Sequence, residues 1–261
     1  MKHFIWCLLF CSTLCFGQIS PAYYGPNAFP VPDMLCGYIP SNLSVKTSYE
    51  FSLGNYGDET HTILTKVDIP LSKYSSFTVF YNTVEFFHVT DKWITYSESE
   101  YYIHGHEFGD IYLSTQFQLF NEKDNGFNLT ARGTLKTASG ESESKKRFYD
   151  VPGYYFDSSI GKNFKEYSVV CNLGFLCWQT GEHQQNDAFL YGIMLKDETP
   201  DYLLSFSVEG YIGWQNNGDK PCVLKSYIEG KNKTINPFIR WCLGVKDFPF
   251  QQVQVGLKFN L

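Results

Sequence analysis

From about residue 45 to its carboxyl end the chain alternates between apolar and polar side chains. In 203–214, Leu204, Phe206, Val208, Ile212 and Trp214 fall on one face and Ser205, Ser207, Glu209 and Tyr211 on the other. In 252–261, Val253, Val255, Leu257, Phe259 and Leu261 alternate with Gln252, Gln254, Gly256, Lys258 and Asn260. Segments 166–177 and 127–136 repeat the pattern, the first opposing Val169, Cys171, Leu173 and Phe175 to Glu166, Ser168, Asn172 and Gly174. A period of two places successive side chains on opposite faces of an extended strand, so each segment reads as a strand with one oily and one wet face. Polar clusters at 121–126, 161–163, 196–201 and 229–234 make short breaks, and these largely take turns with longer connections at 90–107, 137–153, 178–187 and 215–221. The spacing predicts about twelve strands, near 45–54, 61–71, 76–88, 107–120, 126–137, 153–161, 164–177, 187–196, 202–214, 222–229, 235–246 and 251–261.

Composition narrows the setting. Only 18% of the residues are charged and 18% are aromatic, against about a quarter charged in an ordinary soluble domain. With 21 Lys+Arg against 27 Asp+Glu, the formal charge is −6. No nucleic-acid partner is expected, because counterion release from phosphates needs a basic face. Lys2 followed by the apolar run Phe4–Phe16 and then Gly17 has the build of a secretory signal peptide over 1–17. Beyond it remain Cys36, Cys171, Cys177, Cys222 and Cys242, an odd set without a Cys-x-x-Cys unit. They read as small buried or lipid-facing hydrophobes, with at most one disulfide that cannot be assigned.

A soluble sandwich also alternates, but three features favour a membrane barrel. Many of the strands approach the 9–11 residues that a tilted strand needs to cross hydrocarbon. Trp93, Trp178 and Trp214 lie at or past the ends of strands that run toward long loops, as an interfacial girdle would. The sequence also ends inside a strand. Gln254-Val255-Gly256-Leu257-Lys258-Phe259-Asn260-Leu261 resembles the carboxy-terminal assembly signal of Gram-negative outer-membrane barrels, with Gln254 at the polar position, Gly256 at the glycine, Phe259 at the first ring and Leu261 last, where Phe is commonest. The fold class implied is an all-β, transmembrane, antiparallel up-and-down barrel of about twelve strands, porin-like and similar in strand count and aromatic content to the twelve-stranded channel class. Its implied partners are the outer-membrane bilayer and the barrel-assembly machinery.

With the polar faces turned inward, the lumen is expected to carry Lys46, Glu50, Lys66, Asp68, Arg132, Lys136, Asp157, Glu166, Glu209, Lys225, Glu229, Arg240, Lys246 and Lys258, together with Asp110. The signs nearly balance, which predicts paired charges and weak ion preference. Twelve strands are compatible both with an open passage and with a filled interior. Segment 18–44 is punctuated by proline and rich in rings, so it cannot be a central strand. It is either an extended periplasmic linker or a strap entering the lumen from the periplasmic side, with Tyr23, Tyr24 and Phe29 as its plug residues.

His104, His106, Glu107 and Asp110 form the one local cluster of metal-type ligands, in a long loop where polar clusters are common. No metal and no cofactor is expected. The stretch 140–147 reads as a solvated loop tip. The leading functional expectation is a barrel that passes or binds small hydrophilic solutes. The alternatives are a barrel hydrolase using His88, His104 or His183 at the loop rim, or a closed structural barrel. No Gly-x-Ser-x-Gly elbow or His-Glu-x-x-His pair supports an enzyme.

Overall fold

The computed structural model describes residues 23–97, 103–140, 147–149, 151–165, 167–179, 187–216, 218–232 and 234–261. The expected signal peptide, Glu166 and His183 lie outside them. The strands are β1 (Ser44–Gly54), β2 (Glu59–Ser72), β3 (Ser75–His88), β4 (His104–Glu107), β5 (Ile111–Phe120), β6 (Asn128–Lys136), β7 (Gly153–Asn163), β8 (Ser168–Cys177), β9 (Asp187–Glu198), β10 (Tyr202–Gly213), β11 (Cys222–Gly230), β12 (Ile235–Lys246) and β13 (Phe250–Asn260). Two short helices, α1 (Asp91–Ser97) and α2 (Glu122–Asn125), sit in connections.

Every pairing is antiparallel and joins sequence neighbours, except that β3 also pairs with β5 and β13 also pairs with β1, the latter from Ser44↔Asn260 to Gly54↔Phe250. β4 and β5 both pair with β3, one along each end of it, so together they occupy a single position in the ring. Twelve positions therefore close a cylinder. The histidine cluster expected in a loop is in fact β4, and the strand expected over 107–120 is interrupted at Phe108–Asp110, where Gly109 N–H donates to the Asn82 carbonyl at 2.9 Å. The strand ends that flank the connections after β2, β5, β7, β9 and β11 gather at one end with Ser44 and Asn260, the short-turn end. Those that flank the connections after β1, β3, β6, β8, β10 and β12, which include the longest, gather at the other, the long-loop end.

The two faces of the sheet differ in kind. Phe156 and Leu173 are each 59% exposed on the outside, with Ile193, Ile239 and Val255 exposed beside them. A continuous apolar belt of that sort suits hydrocarbon rather than water. Inward positions carry Ser48, Glu50, Thr62, Thr78, Gln116, Asp157, Glu209 and Gln254, all buried. The expected tryptophan girdle is corrected. Only Trp214 is exposed, whereas Trp178 packs inside the barrel and Trp93 packs on Phe87 and Val89. The five described cysteines are unpaired, with Cys171 on the outside and Cys242 buried.

One irregularity re-aims a strand. Ile63 pairs with Val84 and Leu64 with Asn82, which leaves Thr83 unmatched as a bulge. Thr78 and Asn82 are buried on one side of it, and Glu85 and Phe87, two positions of opposite parity, are buried on the other. The bulge thus turns Glu85 into the interior.

Leu173 stands at the middle of β8 on the outer face. Leu173→Arg should cost about 2–4 kcal/mol in a bilayer, the range for a cation at mid-depth on a barrel exterior. A lowered urea midpoint in vesicles and loss of the heat-modifiable gel band are the expected readouts; unchanged values would contradict a lipid-facing position.

Candidate functional site

Residues 23–43 run down the lumen from the long-loop half to the short-turn end, where they enter β1. The amino-terminal end of this strap is held by rings. Tyr23 stacks on Phe250 (centroids 6.4 Å, planes 7° apart), Tyr24 stacks on Tyr149 (5.6 Å), and Phe29 lies 4.7 Å from the Tyr149 ring and 6.5 Å from Trp178. Around them the inward positions of the wall are Tyr112, Tyr155, Leu176, Ala188, Leu190 and Tyr211, so the long-loop half of the lumen is a packed apolar core. Burial of each strap ring is worth about 1.5–3 kcal/mol. The sequence reading started the strap on the periplasmic side, whereas Tyr23 lies among the long-loop residues Tyr149, Trp178 and Phe248.

A buried ion pair locks this end. Arg147 Nε donates to Glu85 Oε1 at 2.6 Å, Nη1 to the Tyr24 carbonyl at 2.8 Å, and Nη2 to Thr60 Oγ1 at 2.6 Å. Asn27 on the strap donates to Glu85 Oε2 at 2.5 Å and to Thr62 Oγ1 at 3.1 Å. Strap, β2, β3 and the β6–β7 connection meet at one guanidinium. Gly25 is required there, since its φ is +129° and a Cβ would stand 2.6 Å from the Arg147 guanidinium. The expectation that 140–147 is only a solvated tip fails at Arg147, which is 1% exposed.

Halfway down, Asp33 reaches the wall. Lys225 Nζ donates to its Oδ1 at 2.5 Å, and Arg240 Nη1 donates to both carboxylate oxygens, at 3.1 and 2.9 Å. Arg132 Nη2 donates to the Asp33 carbonyl at 2.7 Å. Enclosure within the barrel works to raise this carboxyl, but Arg240 and then Lys225 outweigh it and hold it well below the usual carboxylate range. The side chain is 62% exposed to the lumen even so. Below it a cavity of 520 Å³ extends to Ser44, Lys258 and Asn260 at the short-turn end. Above it a smaller one of 190 Å³ reaches Asn27, Trp178 and Phe250.

The expected lumen residues are distributed as follows. Lys46, Lys66, Arg132, Lys225 and Arg240 border both cavities; Glu50 lines the upper one, and Asp68, Glu209, Glu229 and Lys258 line the lower. Asp157 is buried behind Arg132, accepting from its Nε at 2.8 Å and its Nη2 at 2.7 Å. Lys136 is buried against Asp110 at the long-loop end, where Asp110 also accepts from Ser139 N–H (2.8 Å) and Gly140 N–H (2.7 Å); the pair borders neither cavity. Lys246 is exposed at the end of β12 and also borders neither. His104 and His106 point outward from β4 while Glu107 points inward, so the carboxylate that would complete a metal set faces away from them. Among the described residues no group of three or more metal-type ligands assembles. Asp33, Glu85 and Arg147 were not anticipated as site residues.

Replacing Arg147 by Met leaves Glu85 buried without its cation and should destabilise the barrel by about 3–5 kcal/mol. Adding Glu85→Gln should recover part of that loss, because a neutral amide tolerates burial better. Urea midpoints of the two single variants and the double variant give the coupling.

No protein-family model matches the sequence, and no curated protein matches it. Solved structures do. A KdgM porin superposes with a TM-score of 0.56 over 84% of this chain and 99% of its own, at 12% identity. The NanC porin gives 0.57 over 84% and 100%, at 10% identity. The transport unit of the autotransporter AIDA-I from Escherichia coli gives 0.54 over 93% and 99%, at 7% identity. Likeness at such identities is one of fold. With its closed ring of twelve antiparallel strand positions and its oily exterior, the chain has the barrel fold of these outer-membrane porins.

Proposed function

We propose that the barrel is an outer-membrane channel for small hydrophilic solutes, and that residues 23–43 set its bore. The observation that carries this reading is the pair of cavities meeting at one charged level, the larger running to the short-turn end of the cylinder. Its 520 Å³ lies within the range of about 300–1,000 Å³ usual for small-molecule sites. The lining offers hydrogen-bonding groups with rings beside them: Tyr38, Tyr227, Asn232 and Asn236 among Lys, Arg and Glu side chains. That mixture fits a polyhydroxylated solute. The convergence of five wall cations adds a preference for acidic ones, a class to which the oligogalacturonate bound in a solved KdgM complex also belongs.

The terminal strand supports a second part of the proposal, recognition by the barrel-assembly machinery. Gln254 anchors the seam by donating to Ser48 Oγ at 2.7 Å. Gly256 leaves room for the Phe238 ring, which would lie 2.5 Å from an added Cβ. Phe259 and Leu261 lie on the lipid side, with Leu261 74% exposed. These four positions would be read at the open edge before it pairs with β1.

In planar bilayers the full chain should give discrete, small single-channel currents, and deletion of residues 23–40 should raise the conductance several-fold. Absence of current from both forms, with heat-modifiable migration intact, would overturn the channel reading in favour of a closed barrel.

A further inference from the structure

The level at which the two cavities meet has an unusual make-up. Residues bordering both are Lys46, Lys66, Arg132, Lys225, Arg240, Gln116 and a single carboxylate, Asp33. The cations come from β1, β2, β6, β11 and β12. All but Arg132 stand on one contiguous arc of wall, and Arg132 completes the ring from elsewhere. Lys46 and Lys66 are direct cross-strand partners; Lys66 is met by Asp68 at 3.4 Å, and Lys46 donates to the Tyr227 hydroxyl at 3.2 Å and lies over the Phe238 ring.

The carboxylates of the wall are already engaged there. Asp157 holds Arg132 through both oxygens. Glu50 accepts from Arg240 Nη2 at 3.1 Å and from Gln252 at 3.2 Å. Glu209 accepts from Lys225 at 2.7 Å, from Ser207 at 2.5 Å and from the Met34 N–H at 3.2 Å. Asp33 differs from all three. It belongs to the strap, its side chain is largely exposed, and its two oxygens take the hydrogen-bonding directions that Arg240 and Lys225 aim into the lumen. Pro30 and Pro32 fix the backbone just before it, which presents the carboxylate at that height.

We propose that this ring is a binding site for the carboxylate of an acidic solute, and that Asp33 occupies it as a tethered competitor. The inference rests on the channel reading and gives it a solute class and a gate. A solute bearing a carboxylate enters the larger cavity, meets Lys225 and Arg240, and exchanges with Asp33 at the same donors. One guanidinium nitrogen of Arg240 reaching both oxygens, with the Lys225 ammonium beside it, holds a carboxylate by charge-assisted hydrogen bonds. An uncharged sugar has no such exchange to make. While the solute is bound its carboxylate replaces that of Asp33; once it has moved on and until Asp33 returns, the ring is one negative charge short and the passage favours anions.

The test uses the full chain folded in detergent and in planar bilayers, with glucuronate as the probe and glucose as its uncharged match. Asp33→Asn, which keeps the shape, should bind glucuronate at least tenfold tighter than the unaltered chain by calorimetry and shift the reversal potential in a KCl gradient toward chloride. Glucose binding should not change. Arg240→Gln added to Asp33→Asn should erase the gain. Equal glucuronate affinity in Asp33→Asn and the unaltered chain overturns the inference even if both conduct. Tenfold tighter binding without any current instead upholds the site and overturns the channel reading. A second measurement needs no variant. Cys36 lies three residues along the strap, and in the unaltered chain its labelling by a thiol reagent, read by peptide mass, should rise several-fold with glucuronate and not with glucose. Unchanged labelling overturns the displacement.

Discussion

Everything in this molecule follows from the need to pair every backbone N–H and C=O along a surface that faces hydrocarbon. An unpaired group in lipid costs several kcal/mol, and a flat sheet would leave two edges of them. Pairing β13 with β1 over the full length of both strands removes the edges. Closure then dictates the two-faced strands, since alternate side chains must go out to lipid or into an enclosed space. The outer face needs only to be oily. The inner face has to solve a harder problem, because an enclosed space of this width is too large for wall side chains to fill and must hold water, chain or both.

Chain fills one half of the space and polar groups line the other. In the long-loop half, Tyr23, Tyr24 and Phe29 meet Tyr149, Trp178 and Tyr211, and packing is that of a soluble protein's core. In the short-turn half, charges face a cavity. The strap is fixed between them by two different devices. Arg147 with Glu85 is a fully buried pair, so separation of its partners is strongly opposed. Asp33 with Lys225 and Arg240 is reached by lumen water, and such pairs exchange partners at modest cost. One anchor is built to stay and the other can let go.

The sequence made the architecture readable because period-two alternation is a direct consequence of strand geometry, and lipid demands it on every strand. β12 was read with the same bounds that the structure gives, and β1, β7 and β13 to within one or two residues. The misses have physical causes. Glu85 sits beyond the Thr83 bulge, where alternation counted from Thr78 assigns it to lipid. Arg147 follows a run of polar residues, and its burial depends on groups distant in the chain: the Tyr24 carbonyl of the strap, and Glu85 and Thr60 of the wall. Asp33 lies in a segment without periodicity, and its partners come from strands some 190–210 positions away in the chain. Trp178 follows the last residue of β8 and Trp93 lies in α1 just beyond β3, places where a girdle and a packed ring share the same sequence pattern. The expected near balance of charge was a count over the whole lumen, which says nothing about the level at which each charge stands.

The strap descends the lumen before the chain turns back into β1, so its course bears on the order in which the cylinder is made. A segment carrying Tyr23, Tyr24 and Phe29, and bonded to both sides of the wall, is difficult to thread through a finished ring. The β1–β13 seam must therefore come together around it, as staves are drawn up around something already inside. The last step of folding encloses as well as closes, and the contents of the pore are chosen at that moment.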